Sequence, residues 1–185
     1  MSHVVGSLVQ NGSGVALAAA EGFERLTAVV GRLAGSRSVT EVYDHILDEL
    51  VAGIGASSAA VTILDETGGH LHLRAGRGLH PDASASFPLS LDVVVPVTEA
   101  VTTGIPVWVD SRAARDRWYP IVVGSDAAVV STAAVPMRSG DQQIGVLVAG
   151  YQHDHRFLET ERVYCNALAD ACSLALGRFP PVAPT

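Results

Sequence analysis

The chain has 185 residues, a mass of 19.2 kDa and a net charge of −7, with a pI near 5.4. At about 100–200 residues per domain this is one domain with or without tails, and 48% hydrophobic residues are enough for a full core, which argues against wholesale disorder. All 12 basic residues are arginine, which excludes lysine chemistry such as a Schiff base or a P-loop, and the acidic balance argues against nucleic acid as the main partner.

Residues 1–20 combine Gly, Ser and Asn with weak apolar content and read as a leader. Residues 14–20 hint at a signal-peptide core, but the first arginine is Arg25, so the positive region is missing. No apolar run approaches the ~20 residues of a membrane span. Cys165 and Cys172 fall in a helical pattern, roughly 10 Å apart along its axis, beyond the ~7 Å reach of a disulfide. They read as two free thiols in a reducing compartment, and the expected location is cytoplasmic.

Phe23, Leu26, Val30 and Leu33 repeat at helical spacing, and that helix ends near Gly35. Ser38-Val39-Thr40-Glu41 matches a capping box, and Val42, Ile46, Leu47, Leu50, Val51 and Ile54 continue a second helix. The period then changes to strand over residues 59–65 and 70–76, with Thr67-Gly68-Gly69 as the hairpin turn. A looser stretch holds Pro88 and Pro96. Val97–Thr103 reads as a short helix stopped by Gly104, and Pro106–Asp110 as a strand. Residues 111–130 are ambiguous between helix and loop. Ser131–Met137 and Ile144–Gly150 form a second hairpin, and a long helix runs from about Leu158 to Arg178. Its apolar face is wide enough to pack on more than one surface.

This order implies an α+β fold. A central antiparallel sheet of five to six strands carries the N- and C-terminal helices on one face, and short helices and loops cover the other. The domain would span residues 21–179, with 180–185 a Pro-rich tail or the start of a linker. Any ligand pocket is expected under the irregular cover.

The chain resembles a GAF domain, the small-molecule sensor module of signalling proteins, over roughly residues 23–178. The resemblance rests on Leu33-Ala34 before Ser38–Val42, then Ala59–Asp65, Leu71–Gly76, Ala100–Trp108, Ala133–Met137 and Ile144–Ala149. It closes with Arg156-Phe157 and Glu161-Arg162 at the start of the last helix. The texture is similar to GAF modules of bacterial sensor histidine kinases and phosphatase regulators, which implies a downstream kinase or phosphatase domain. It also implies a regulatory rather than enzymatic role. Cyclic-nucleotide-binding members carry an Asn-Lys pair and an acid where Arg162 stands. Haem-binding members carry a histidine in the stretch matching residues 111–130, and bilin-binding members a cysteine on the cover. None of these cofactors is supported by the residues present, and the cofactor is left unknown. GAF-type methionine sulfoxide reductases use loop cysteines, which this chain lacks.

Trp108, Trp118 and Tyr119 are the expected walls of a ligand pocket, with Arg74 as a charged anchor. Arg112, Arg115 and Arg117 either clamp an anionic or planar ligand or form a solvated helical turn. His70 with His72, and His153 with His155, are spaced to chelate a metal or to lie on solvated surfaces, and no metal is assigned. Gly76-Arg77-Gly78 lacks the third glycine of a dinucleotide fingerprint, with Pro81 in its place. In GAF proteins the terminal helices commonly pair, so a homodimer is expected through Phe23, Leu26, Val30, Leu33, Leu158, Cys165, Leu168 and Cys172. The alternative is a ligand-free dimerisation or protein-docking module.

Overall fold

The computed structural model describes residues 21–122 and 128–180. The expected leader, the tail beyond Pro180 and part of the ambiguous stretch lie outside the described residues. Helix α1 covers residues 21–35 and α2 covers Val39–Asp48. Ser38 caps α2 by accepting from Glu41 N–H. The reciprocal arm of the box is shifted by one residue, since Glu41 accepts from Arg37 N–H at 2.7 Å. The second helix does not run on as α-helix to Ile54. It widens into a π-turn over Glu49–Gly53, and that turn carries Glu49 inward, 7% exposed.

The hairpin β1 (Ser58–Leu64) and β2 (His70–Arg77) is joined by a turn in which Asp65 Oδ1 accepts from the N–H groups of Gly69 and His70. Next come α3 (Pro81–Ala85), a two-residue strand β3 (Leu89–Ser90) and α4 (Pro96–Thr103). Gly104 stops α4 at φ 68°, a left-handed conformation that suits glycine. Strand β4 (Val107–Val109) follows, then α5 (Arg112–Trp118), capped by Ser111, and a 3-10 turn over Pro120–Val122. The chain ends with β5 (Ser131–Ser139), β6 (Gln142–Tyr151) and α6 (Glu159–Leu176).

The six strands lie in the order β3-β2-β1-β6-β5-β4, antiparallel at every pairing. Alternation sends successive side chains to opposite faces. On one face Ala59, Val61, Ala133, Val135, Met137, Leu147, Ala149 and Tyr151 pack against Val29 and Leu33 of α1, Ile46 and Leu47 of α2, and Cys165, Leu168 and Cys172 of α6. On the other, Leu71, Ala134 and Val146 meet Ala100 and Val101 of α4. The terminal helices therefore share one face and the short elements form a lid over the other. Two bulges interrupt the alternation. Arg74 is the extra residue between the pairs Val61–Ala75 and Thr62–Leu73, and Ile144 between Met137–Gly145 and Arg138–Gln143.

Polar contacts fix α1 to this frame. Glu49 Oε1 accepts from Arg25 at 2.9 Å and from the Tyr164 hydroxyl at 2.7 Å, while Oε2 accepts from Arg32 at 3.2 Å. Arg178, just beyond α6, donates to the carbonyls of Leu33 and Ala34 in the last turn of α1. Among the described residues no helix is long and apolar enough to cross a membrane.

Candidate functional site: the cavity beneath the lid

A cavity of about 340 Å³ lies between the sheet and the lid. Its floor is Ser58 and Ala60 of β1, Thr132 of β5, and Val148 and Gly150 of β6, mostly small side chains that leave the space unfilled. Leu79, Ala83, Ser86 and Phe87 around α3 make one wall. Leu89, Val93, Val95, Pro96 and Val97 close the top, and Arg115, Ile121 and Val129 form the far end. The lid elements are held locally. Thr98 Oγ1 accepts from Val95 N–H, and Ser86 Oγ donates to the Asp82 carbonyl at 2.9 Å. The lining is apolar apart from three hydroxyls and Arg115.

Arg115 is 3% exposed. Its Nε and Nη2 donate to Asp116 Oδ1 at 2.9 and 2.7 Å, and Nη1 donates to the Val129 carbonyl. A buried guanidinium is stable only when its N–H groups find acceptors, and here the anchoring carboxylate stands at the protein surface.

The four residues expected to form the pocket are not among its lining. Trp108 packs on the helix face, 5.3 Å from Phe157 and under the Arg162 guanidinium. The spacing of a three-residue strand does not say which face its middle residue takes. Trp118 is 63% exposed at the end of α5, with Arg117 over its ring. Tyr119 is buried, but its hydroxyl donates to Glu99 Oε2 at 2.8 Å, fastening α5 to α4. Burial and this carboxylate push the Tyr119 phenol well up. Arg74, displaced by its bulge, lies near Tyr43 of α2; burial raises that phenol and the nearby arginine draws it partly back. Of the three arginines in the cover, Arg112 and Arg117 face solvent and Arg115 alone reaches the cavity.

The residues assigned to a dimer surface also divide. Leu33, Cys165, Leu168 and Cys172 are core, turned toward the sheet, and Leu26 is half-buried against them. Phe23, Val30 and Leu158 are exposed. Leu174 and Val163 of α6, which are not among the residues expected there, are exposed as well. Burial pushes both thiols up to about 12, with the Glu161 charge adding to the effect at Cys165, so both stay protonated.

The histidine pairs do not meet as a metal site, and no cluster of three or more His, Cys, Asp or Glu suited to a metal occurs among the described residues. His70 Nδ1 lies 3.5 Å from Asp65. His155 instead belongs to a network that sequence spacing does not suggest. Its ring stacks on Tyr151 at 3.9 Å, and its Nε2 bonds both Glu161 oxygens at 2.8 and 3.0 Å. The Tyr151 hydroxyl donates to Glu161 Oε1 at 3.2 Å. This network pins the start of α6 to the end of β6, on the face away from the cavity.

The comparisons agree with this geometry. No match was found among curated proteins. Among solved structures, the chain is similar to the GAF domain of an Acinetobacter phosphoenolpyruvate-protein phosphotransferase, with 18% identity, a TM-score of 0.73, and coverage of 85% of this chain and 94% of that one. It is similar to residues 122 to 287 of a methyl-accepting chemotaxis protein, with 20% identity, a TM-score of 0.66, and coverage of 81% and 95%. It also resembles the free methionine-R-sulfoxide reductase of Neisseria meningitidis, solved with its substrate, at 21% identity, a TM-score of 0.68, and coverage of 86% and 90%. At these identities the likeness establishes the fold alone. The family model for the GAF domain matches residues 36–177, most of the chain, and this protein belongs to the GAF domain family.

Proposed function

We propose that this GAF domain is the small-molecule-sensing, regulatory part of a cytoplasmic signalling protein, and that it is not an enzyme. The observation that carries the reading is the cavity of about 340 Å³ under the lid, within the ~300–1,000 Å³ typical of ligand sites. A ligand there touches the face of the sheet opposite α1 and α6. Strand β5 joins the two sides, with Ala134 against the lid and Ala133 and Val135 against the terminal helices. Occupancy shifts the helices only if the two states bind the ligand unequally, which is the condition for coupling. A regulatory role is supported by two cysteines buried as thiols on α6, where neither can act as a nucleophile toward a ligand in the cavity.

The output surface in this proposal is the outer side of α1 and α6. Val30, Ala34, Ala167, Ala171 and Leu174 line an open apolar groove there, with Phe23 exposed nearby. A second copy covers it, and a kinase or phosphatase domain receives the shift. Native mass spectrometry with an absorption spectrum on freshly purified protein tests the sensing half. One small molecule per chain supports it; bare protein that takes up nothing from a metabolite screen would favour a ligand-free docking module instead. Sedimentation tests the dimer, and a strict monomer at high concentration would remove it.

A further inference from the structure

Arg115 is the one charged residue lining the cavity among those described. A guanidinium offers five N–H donors. Those of Arg115 engage Asp116 Oδ1 twice and the Val129 carbonyl once, so two remain without an acceptor among the described residues. The Asp116 side chain is 43% exposed, so water screens part of its charge and the rest still competes for the guanidinium. It orients the guanidinium without using up its donors.

Two of the three hydroxyls lining the cavity sit together on its floor. Ser58 and Thr132 both stand opposite Gly150 on its two neighbouring strands. A Cβ at Gly150 would lie 2.5 Å from Ser58 Oγ and 3.2 Å from Val129 Cγ1, and Val129 is the residue whose carbonyl holds Arg115. The Ser58 hydroxyl and the Val129 side chain therefore close over Gly150, which sets the floor of the cavity beside the residue whose carbonyl holds Arg115. Beyond it the wall is Phe87, Leu89, Val95 and Val97, all apolar.

From this arrangement, and resting on the ligand-sensing reading above, we propose that the cavity takes a small organic carboxylate with a compact apolar body. The carboxylate accepts from the two remaining Arg115 donors and from the Ser58 and Thr132 hydroxyls, and the apolar body lies against Phe87 and the valines. The forked donors of arginine match the planar carboxylate. A phosphate dianion fits less well, because one guanidinium already shared with Asp116 balances only part of two charges.

The test is calorimetry on the wild-type chain with matched acid and amide pairs: benzoate and benzamide, phenylacetate and phenylacetamide, 4-methylpentanoate and its amide, with phenyl phosphate beside them. In at least one pair the acid is expected to bind about tenfold or more tightly than the amide, the scale of a lost charge-assisted hydrogen bond. Phenyl phosphate should bind more weakly than that acid. Arg115→Gln should remove the preference. Asp116→Asn, at a half-exposed position, should raise acid affinity several-fold by removing the competing negative charge. Should Arg115→Gln fail to fold, the wild-type pairs and Asp116→Asn still decide. Amides binding as well as acids, a preference for the phosphate, or acid affinity unmoved by Asp116→Asn would each overturn the carboxylate inference while leaving the ligand-sensing reading standing. No binding by any acid also overturns it, and the co-purification measurement then judges the broader reading separately.

Discussion

Ala59 and Ala60 are neighbours on the same strand, 1% and 4% exposed, yet their surroundings differ. Ala59 turns to the helix face, where α1, α2 and α6 pack against the sheet as one core. Ala60 turns to the lid face, where the same small side chain looks onto a cavity of about 340 Å³. The contrast separates two tasks within one sheet. One face holds the domain together by close packing, while the other forgoes part of its packing and keeps a space that a ligand can fill.

The largest expected effects follow from the helix face. Leu168→Ala or Ile46→Ala, each 0% exposed, should cost about 2–5 kcal/mol in urea unfolding. Val148→Ala on the cavity floor should cost about 1.6 kcal/mol or less, the transfer value of the two lost methyl groups. Equal losses on the two faces would erase the distinction. The paired substitution sharpens it. Ala59→Leu overpacks the core and should lose about 1–3 kcal/mol, whereas Ala60→Leu enters open space and should lose none. Glu49→Ala removes the acceptor shared by Arg25, Arg32 and Tyr164. It should cost about 1–3 kcal/mol and speed hydrogen exchange in α1 while leaving the lid unchanged.

A pH prediction tests the burial of the two helix-face thiols. Both thiols rise from an ordinary value of 9.0 to about 12 in the folded chain. A thiol held protonated by folding contributes its full stability below pH 9.0, and that contribution is lost as the pH climbs toward 12. Stability should therefore fall across about pH 9–12, each thiol adding a slope of up to about 1.4 kcal/mol per pH unit. The buried phenols of Tyr119, Tyr151 and Tyr164 are raised too and act in the same direction from pH 10.0 upward. Cys172→Ala should flatten the alkaline limb, and an unchanged limb would contradict the assignment. The smallest expected effect is Trp118→Ala at the surface, within about 0.5 kcal/mol of wild type and neutral for any ligand in the cavity.

Elements with local chemistry were legible in the sequence. The Ser38 cap, the Thr67-Gly68-Gly69 turn, the Gly104 stop and the second hairpin all carry their signals within a few residues, and together they imply an antiparallel sheet with the terminal helices on one face. What depends on phase was not legible. A bulge moves Arg74 off its strand alternation, and a three-residue strand leaves the direction of Trp108 open. The π-turn that buries Glu49 follows an uninterrupted helical pattern. A seven-residue helix does not reveal that Arg115, rather than Arg112 or Arg117, turns inward. The cavity itself was the least legible feature, because it is made by the absence of side-chain volume at Ser58, Ala60, Thr132 and Gly150, and small residues in strands are common in packed sheets too.

The central claim is that the lid face holds a chamber for a small molecule. Amide chemical-shift mapping of a library of acidic and neutral fragments, run in parallel on wild type and Ala60→Leu, tests it most directly. Fragments should perturb the amides of Ser58, Ala60, Thr132, Val148 and Gly150 in the wild-type chain, and the folded Ala60→Leu protein should lose those perturbations. Fragments that leave these amides untouched, or that shift them equally when leucine fills the space, would contradict the account.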